Sequence, residues 1–458
     1  MSSAAFAKPG NFSGSRRAFA LVFVAAAALG CKFFYFIYVY AVNVFYYDQW
    51  DFLAPFFSGN TDTLGLFLRQ HGPPRLGLGL ISLKLLYGAT HWSTRAEAFM
   101  IGISVFVAMI LALRLKQELF GGISYTDVAI PLIFLTLTQY ETLIGAIDPA
   151  YGGFPLLLTV VYCLVLLLRD FRLRYALLVP LNFILIYTGF GFFVGVVTLG
   201  VFALDVYRGI RRWSAIPLRY SIAGLAAAVA SLAAFFIHYV FMPAVDCFDL
   251  PQGHFVSYPW FVALMFSAFL GPRQPLALVT GAGAIGVLVA LLALAIHSYR
   301  LLRRSKKHHS PDIDRIHLIS AVLLGYSALF AGSAALGRAC LGLPNAAQAP
   351  RYSTLLIPAY LGVYFSLMLL PSLKFRNLAL GLFLAVLLPG GILLPRFSGH
   401  VLADGKRAWA ACYLRLENIG YCDHQTGFPI YPHPERNGMQ AKLDYLKQNR
   451  LSFFYKLQ

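Results

Sequence analysis

The sequence predicts an all-α polytopic membrane protein with about eleven transmembrane helices, and three observations predict it. First, 59% of the 458 residues are hydrophobic and only 12% are charged. A soluble domain carries about 25% charged residues, so this chain cannot clothe itself in a polar shell and must turn apolar surface towards lipid. Second, apolar runs of roughly 18 residues, enough to cross hydrocarbon, recur from Ala18 to Leu394. Third, the basic residues fall in clusters between those runs, alternating rich and poor as membrane topology requires.

In chain order, Ala18–Phe45 follows Arg16 and Arg17. It is too long for the apolar part of a cleaved signal and has no clear cleavage site, so it is read as the first span. The remaining spans are Ala96–Leu113, Val128–Tyr140, Phe154–Leu168, Tyr175–Tyr187, Gly189–Leu204, Ser221–Met242, Leu276–His297, Ile316–Leu336, Ser353–Leu370 and Asn377–Leu394. Several in the middle are shorter than the ~20 residues of a full crossing. They are expected to tilt, to be extended by neighbours, or to be broken helices buried in protein.

With the N-terminus inside, the inner segments hold twenty of the 37 Lys and Arg residues. The outer loops before the tail hold only Arg69, Arg75, Lys84, Arg95, Arg273, Arg338 and Arg351. This satisfies the positive-inside rule and places the C-terminus outside. The net charge of +18 is therefore topogenic, and membrane lipids rather than nucleic acid are the expected partners. The inner loops are too short to fold as domains. The long connections, Tyr46–Arg95, Pro243–Pro275, Gly337–Tyr352 and the tail from Pro395, all lie outside, so the functional surface is expected there. The organisation is a transmembrane domain, 1–394, with a first outer loop over 46–95, and an extracytoplasmic tail, 395–458. Of the six cysteines, no pair has zinc-ligand spacing. Cys412 and Cys422 share the tail, where a disulfide and two free thiols are both open readings.

The first outer loop opens with Asp48-Gln49-Trp50-Asp51-Phe52-Leu53 among aromatic residues. If the first helix continues, Asp48 and Asp51 share a face, repel, and one pKa rises. A half-buried carboxylate is a sensible base for a hydroxyl; simple capping is the alternative, although a helix C-terminus disfavours anions. Leu64, Phe67 and Leu68 form an apolar stripe for a short surface-lying helix, and Leu76–Leu86 a second. Between them runs His71-Gly72-Pro73-Pro74-Arg75, broken by its proline pair. Contact with lipid headgroups is the alternative role for Arg69 and Arg75.

An acidic signature directly after the first span, followed by the segment His71 to Arg75, resembles the GT-C superfamily of polytopic membrane glycosyltransferases, in particular its bacterial members. Further along, Gly337-Arg338-Ala339-Cys340-Leu341-Gly342, Pro350-Arg351-Tyr352-Ser353, and Ile430-Tyr431-Pro432 before Leu443-Asp444-Tyr445-Leu446 are similar to segments of that family in the same order. The resemblance implies transfer of a sugar from a polyprenyl-phosphate donor to a hydroxyl of a glycan, lipid or protein, with inversion. It places the reaction on the outer face of the bacterial cytoplasmic membrane. Asp48 would be the base with Asp51 as its partner. Arg338 and Arg351 would hold the donor phosphate, and His71, Arg75, Glu141 and Tyr352 would contact the acceptor or substrate.

The residues themselves add that Arg suits bidentate contact with phosphate, with interfacial snorkelling as the alternative. Glu141 and Asp148 share a small outer turn without a base. They could bind a sugar hydroxyl or a divalent ion, or be a solvated turn; no cofactor is otherwise indicated. His238 is expected to be buried late in a span, and Lys32 requires a partner that pattern alone does not name. A lipid-glycan transporter or flippase and a non-catalytic envelope assembly factor are the rival classes.

Overall fold

A computed structural model describes residues 16–145, 148–213, 216–241, 247–248, 255–303, 311–392, 396–435 and 437–455. The described residues are helical throughout, with a single isolated bridge between Gln70 and Arg75 in place of any strand. Helix α1 (Arg16–Tyr40) leads to four short helices, α2 (Gln49–Phe52), α3 (Ala54–Phe57), α4 (Thr63–Leu68) and α5 (Gly77–Thr90). Then come α6 (Thr94–Phe120), the broken pair α7 (Ala129–Phe134) and α8 (Tyr140–Ile144), and α9 (Gly153–Leu166), α10 (Phe171–Ile186), α11 (Phe192–Ile210) and α12 (Leu218–Phe235). The bundle is completed by α13 (Ser257–Phe269), α14 (Leu276–Leu302), α15 (Pro311–Arg338), α16 (Ser353–Met368) and α17 (Leu373–Ile392). The tail adds α18 (Arg396–Leu416), α19 (Ile419–Thr426) and α20 (Met439–Gln448).

Eight helical segments among the described residues are long and apolar enough to cross a membrane, so the chain is a multi-pass membrane protein. The interrupted segment Tyr125–Ile144 is 83% buried and sits centrally, whereas Leu276–Leu302 is 17% buried and lies at the periphery. Peripheral positions such as Leu278, Ile285, Leu288 and Leu292 are exposed, as lipid-facing residues must be. Lys32 finds its partner in the last carbonyls of α17: its Nζ donates to Gly391 O at 2.6 Å and Ile392 O at 2.8 Å. A cation at a helix C-terminus is favoured there by unpaired carbonyls and by the helix dipole.

Four expectations change. Helix α1 ends at Tyr40, short of Phe45. Helix α12 ends at Phe235, and His238 lies beyond it, exposed and at φ 54° rather than buried in a span. Helix α18 was not anticipated. Nor was α13, whose contacts with α14 keep a constant register: Trp260 meets Thr280, Ala263 meets Gly283 and Phe266 meets Gly286. Such an offset requires the two helices to run parallel, so α13 enters the bundle from the same end as α14 and the chain returns through 270–275 before α14 starts. A Cβ at position 283 would overlap the Ala263 carbonyl, so glycine allows the close approach. A non-helical return of this kind is tolerated at membrane depth where protein surrounds it; Gly271 lies against the backbone of Gly390.

The described residues form two principal hydrophobic cores. The larger fills the bundle. The second joins the first loop to the tail: Phe45, Trp50, Leu53, Leu80 and Tyr87 pack with Trp409, Tyr413, Leu443 and Leu446. Each large side chain so buried contributes about 1.5–3 kcal/mol. The tail is thus no separate appendage, because it shares its core with residues some 360 positions away. Two disulfides brace this end of the protein. Cys412–Cys422 realises one of the readings left open, and Cys247–Cys340 ties the segment after α12 to the end of α15.

Candidate functional site

The two aspartates of the first loop sit at the start of a new helix rather than on a continued α1. Asp48 occupies the N-cap of α2 and Asp51 lies in its first turn. The expectation of a shared face at a helix C-terminus is therefore reversed, and the positive end of α2 favours both anions. Their surroundings differ. Asp51 accepts hydrogen bonds from the Tyr431 hydroxyl, at 3.1 and 3.0 Å to its two oxygens, and from Asn437 Nδ2 at 2.7 Å. Asp48 makes no side-chain capping bond and is exposed. One carboxylate is held by the tail while the other is open to a ligand.

His71 begins a tight hairpin in which its N–H donates to Pro74 O at 3.0 Å and Leu76 N–H to Arg69 O at 2.9 Å. Gly72 takes φ 58° at the bend, a conformation glycine adopts without a Cβ penalty. The His71 ring packs edge-on to Phe52 and near Tyr151. Burial pushes its pKa down, the charges of Asp48 and Asp51 pull it up, and the net direction is down.

The role expected for Arg75 at the acceptor does not fit its surroundings. Its guanidinium donates to Phe235 O at 3.0 and 2.8 Å and to Ile237 O at 2.6 Å, and also to Leu68 O. The rings of Tyr187 and Phe235 lie against it. With 4% of its surface exposed, Arg75 is a structural clamp between the first loop and the end of α12.

Tyr352, at the head of α16, gathers the late arginines. Arg338 donates to its hydroxyl at 3.0 Å, and both Arg338 and Arg351 lie over its ring, at 5.7 and 5.6 Å from the centroid. Arg351 also pairs loosely with Glu141, at 3.8 Å. Tyr352 is 4% exposed, so it positions the arginines more than it offers surface to an acceptor. The aspartates and arginines face a common space. Burial pushes the Tyr151 hydroxyl up, the charges of Asp148, Asp48 and Asp51 push it further, and Arg338 opposes them. A cleft of about 550 Å³ adjoins Arg351 and Glu141.

Asp148 is not part of a solvated turn. It is fully buried, accepts from Ala150 N–H at 2.7 Å, and leaves Oδ2 without a partner. Burial, aided by Asp48, raises its pKa to about 7. Nearby, Lys406 of α18 reaches the end of α8, donating to Ile144 O at 2.9 Å and Gly145 O at 3.0 Å. Burial lowers its pKa to about 7, with Glu97 acting in the opposite direction. Glu97 accepts from Tyr87 OH at 2.8 Å and from Gln49 Nε2 at 3.3 Å, which anchors α2 to α6. Among the described residues no group of three or more His, Cys, Asp or Glu side chains could hold a metal ion.

Sequence reasoning missed Lys406, Asn437, Arg273 and Gln348. Arg273 alone carried a signal, as the one base in the loop Pro243–Pro275. The others are recognisable only by what they touch. No family model matches the chain, and neither a curated protein nor a solved structure matches it.

Proposed function

We propose that this protein is a membrane glycosyltransferase that moves a sugar from a polyprenyl phosphate to an acceptor hydroxyl on the outer face of a bacterial cytoplasmic membrane, crossing that membrane eleven times. The observation that carries the reading is the free carboxylate of Asp48 facing the same space as Arg338 and Arg351. Two independent features support the orientation. Lys and Arg concentrate at the opposite ends of the helices. Both disulfides lie at the site end, as an oxidising compartment favours.

In this reaction Asp48 takes the proton of the acceptor hydroxyl as its oxygen attacks the anomeric carbon. The bond from that carbon to the phosphate oxygen breaks, and the lipid phosphate leaves with the electron pair. The configuration inverts. Arg351 and Arg338 stabilise the charge gathering on the leaving phosphate, where fixed donors act most strongly. Asp51, held by Tyr431 and Asn437, keeps α2 against the tail and so fixes the position of Asp48. His71, lowered in pKa by burial, is a neutral hydrogen-bonding wall for the acceptor.

The test compares cell-envelope glycans by mass spectrometry in a deletion strain carrying wild type or Asp48→Asn. Loss of a single sugar mass with the variant protein still inserted is the expected result, and that mass names the donor. A normal profile removes Asp48 as the base and moves the flippase and assembly-factor readings ahead.

A further inference from the structure

The segment that returns from α13 to α14 places Arg273 opposite the loop 341–351, and one of its guanidinium nitrogens lies 3.5 Å from Gln348 O. With Glu141 and Arg351 these segments enclose the cleft of about 550 Å³. Its wall has an unusual balance of hydrogen-bonding groups. Arg273 and Arg351 are exposed, and their remaining N–H donors are directed by no strong internal partner. Gln348 is 5% exposed, lines the cleft, and its Nε2 has no partner. A buried donor left unpaired costs about 1–3 kcal/mol, so a wall that retains one is suited to an acceptor that is not part of the chain. Leu341 and Pro344 complete the cleft with apolar surface, and Leu341 is 49% exposed.

We propose that this cleft binds the phosphate group of a membrane-borne lipid, with Arg273 and Arg351 as its ionic partners and Gln348 as a neutral donor. Arg supplies donors only, in a planar fork that matches phosphate oxygens. The apolar rim at Leu341 and Pro344 receives the first carbons of the lipid chain, which approaches along the re-entrant α13. Glu141 is the acid facing the site. Its contact with Arg351, at 3.8 Å and partly exposed, is worth about 1 kcal/mol or less, so a phosphate displaces it readily. The inference deepens the reading above by giving the phosphate a place. It rests on that reading only for the lipid being a sugar carrier.

The experiment measures binding, so it can fail separately from transfer. Full-length protein in phosphatidylcholine nanodiscs is titrated with polyprenyl monophosphate, and the rise in unfolding temperature is followed. Arg273→Ala and Gln348→Glu each weaken binding about tenfold or more, as loss of a charge-assisted bond or insertion of a like charge requires. Gln348→Met also weakens it, yet leaves the unfolding temperature without ligand equal to wild type or higher, because it removes an orphaned donor; this separates binding from misfolding. Arg415→Ala, a change at an exposed base elsewhere on the same face, leaves binding intact, and so does Asp48→Asn. No rise in unfolding temperature, or equal weakening by Arg415→Ala, overturns the site. Phosphatidylglycerol binding with the same affinity and the same dependence on Arg273 supports the phosphate site and overturns a sugar carrier as its ligand. Inorganic phosphate competing at the same concentration as the lipid overturns the lipid source.

Discussion

Replacing Asp148 with asparagine should remove a pH-dependent loss of stability. The carboxyl is fully buried and one oxygen lacks a partner, so its pKa rises from 3.8 to about 7. A group whose pKa is higher in the folded than in the unfolded state contributes stability that is fully present below the unfolded value and is lost as pH rises through the folded one. Between pH 3.8 and about 7 the wild type should therefore lose stability progressively. The gap amounts to roughly 4 kcal/mol at full titration, an upper figure because local relaxation and water reduce it. Asparagine keeps the acceptor for Ala150 N–H and cannot ionise. Unfolding temperatures of both proteins in detergent from pH 4 to 8 are the assay. The difference in favour of Asp148→Asn should grow by several degrees up to pH 7 and then level off. Lys406 titrates in the opposite sense above pH 7 but is common to both proteins, so it cancels from the difference. Parallel curves across the whole range would refute the argument that Asp148 is buried as an acid.

Two further outcomes follow from geometry. Arg75→Ala strands the carbonyls of Leu68, Phe235 and Ile237 and should destabilise the protein by about 3 kcal/mol or more, read as a lowered unfolding temperature and reduced yield. A variant that folds like wild type and loses only activity would return Arg75 to the acceptor site. Non-reducing peptide mapping should recover Cys247 joined to Cys340 and Cys412 joined to Cys422, with Cys31 and Cys163 alkylated only as free thiols; alkylation of all six without reduction would contradict the bracing of the site end.

The bundle was legible because lipid imposes a simple rule on every residue that faces it. Apolar runs mark helices such as α6, α14 and α15 whatever they pack against. The short helices α4 and α5 were legible for a related reason, since a proline pair and an apolar stripe act locally. Helix α13 was not. Its thirteen residues are too few for a crossing, and nothing in their pattern tells a surface helix from one that enters the bundle and returns. The end of α1 was misplaced because apolar residues continue past Tyr40 into the second core, and hydrophobicity alone does not distinguish burial in lipid from burial in protein.

The candidate site divides in the same way. Asp48, Asp51, His71, Arg338, Arg351 and Glu141 stand out in sequence because charge beside an apolar span is costly and needs a reason. Which of them remain available was decided only by tertiary structure. Asp51 is engaged by Tyr431 and Asn437, Arg75 is consumed by backbone carbonyls, and Asp148 is buried without a partner. The sequence by itself determined a multi-pass helical protein and the ends of its helices where charge collects, because transfer from water to lipid acts on each residue separately. The folded chain alone decided which charges are free, since hydrogen bonds and burial depend on segments hundreds of residues apart coming together.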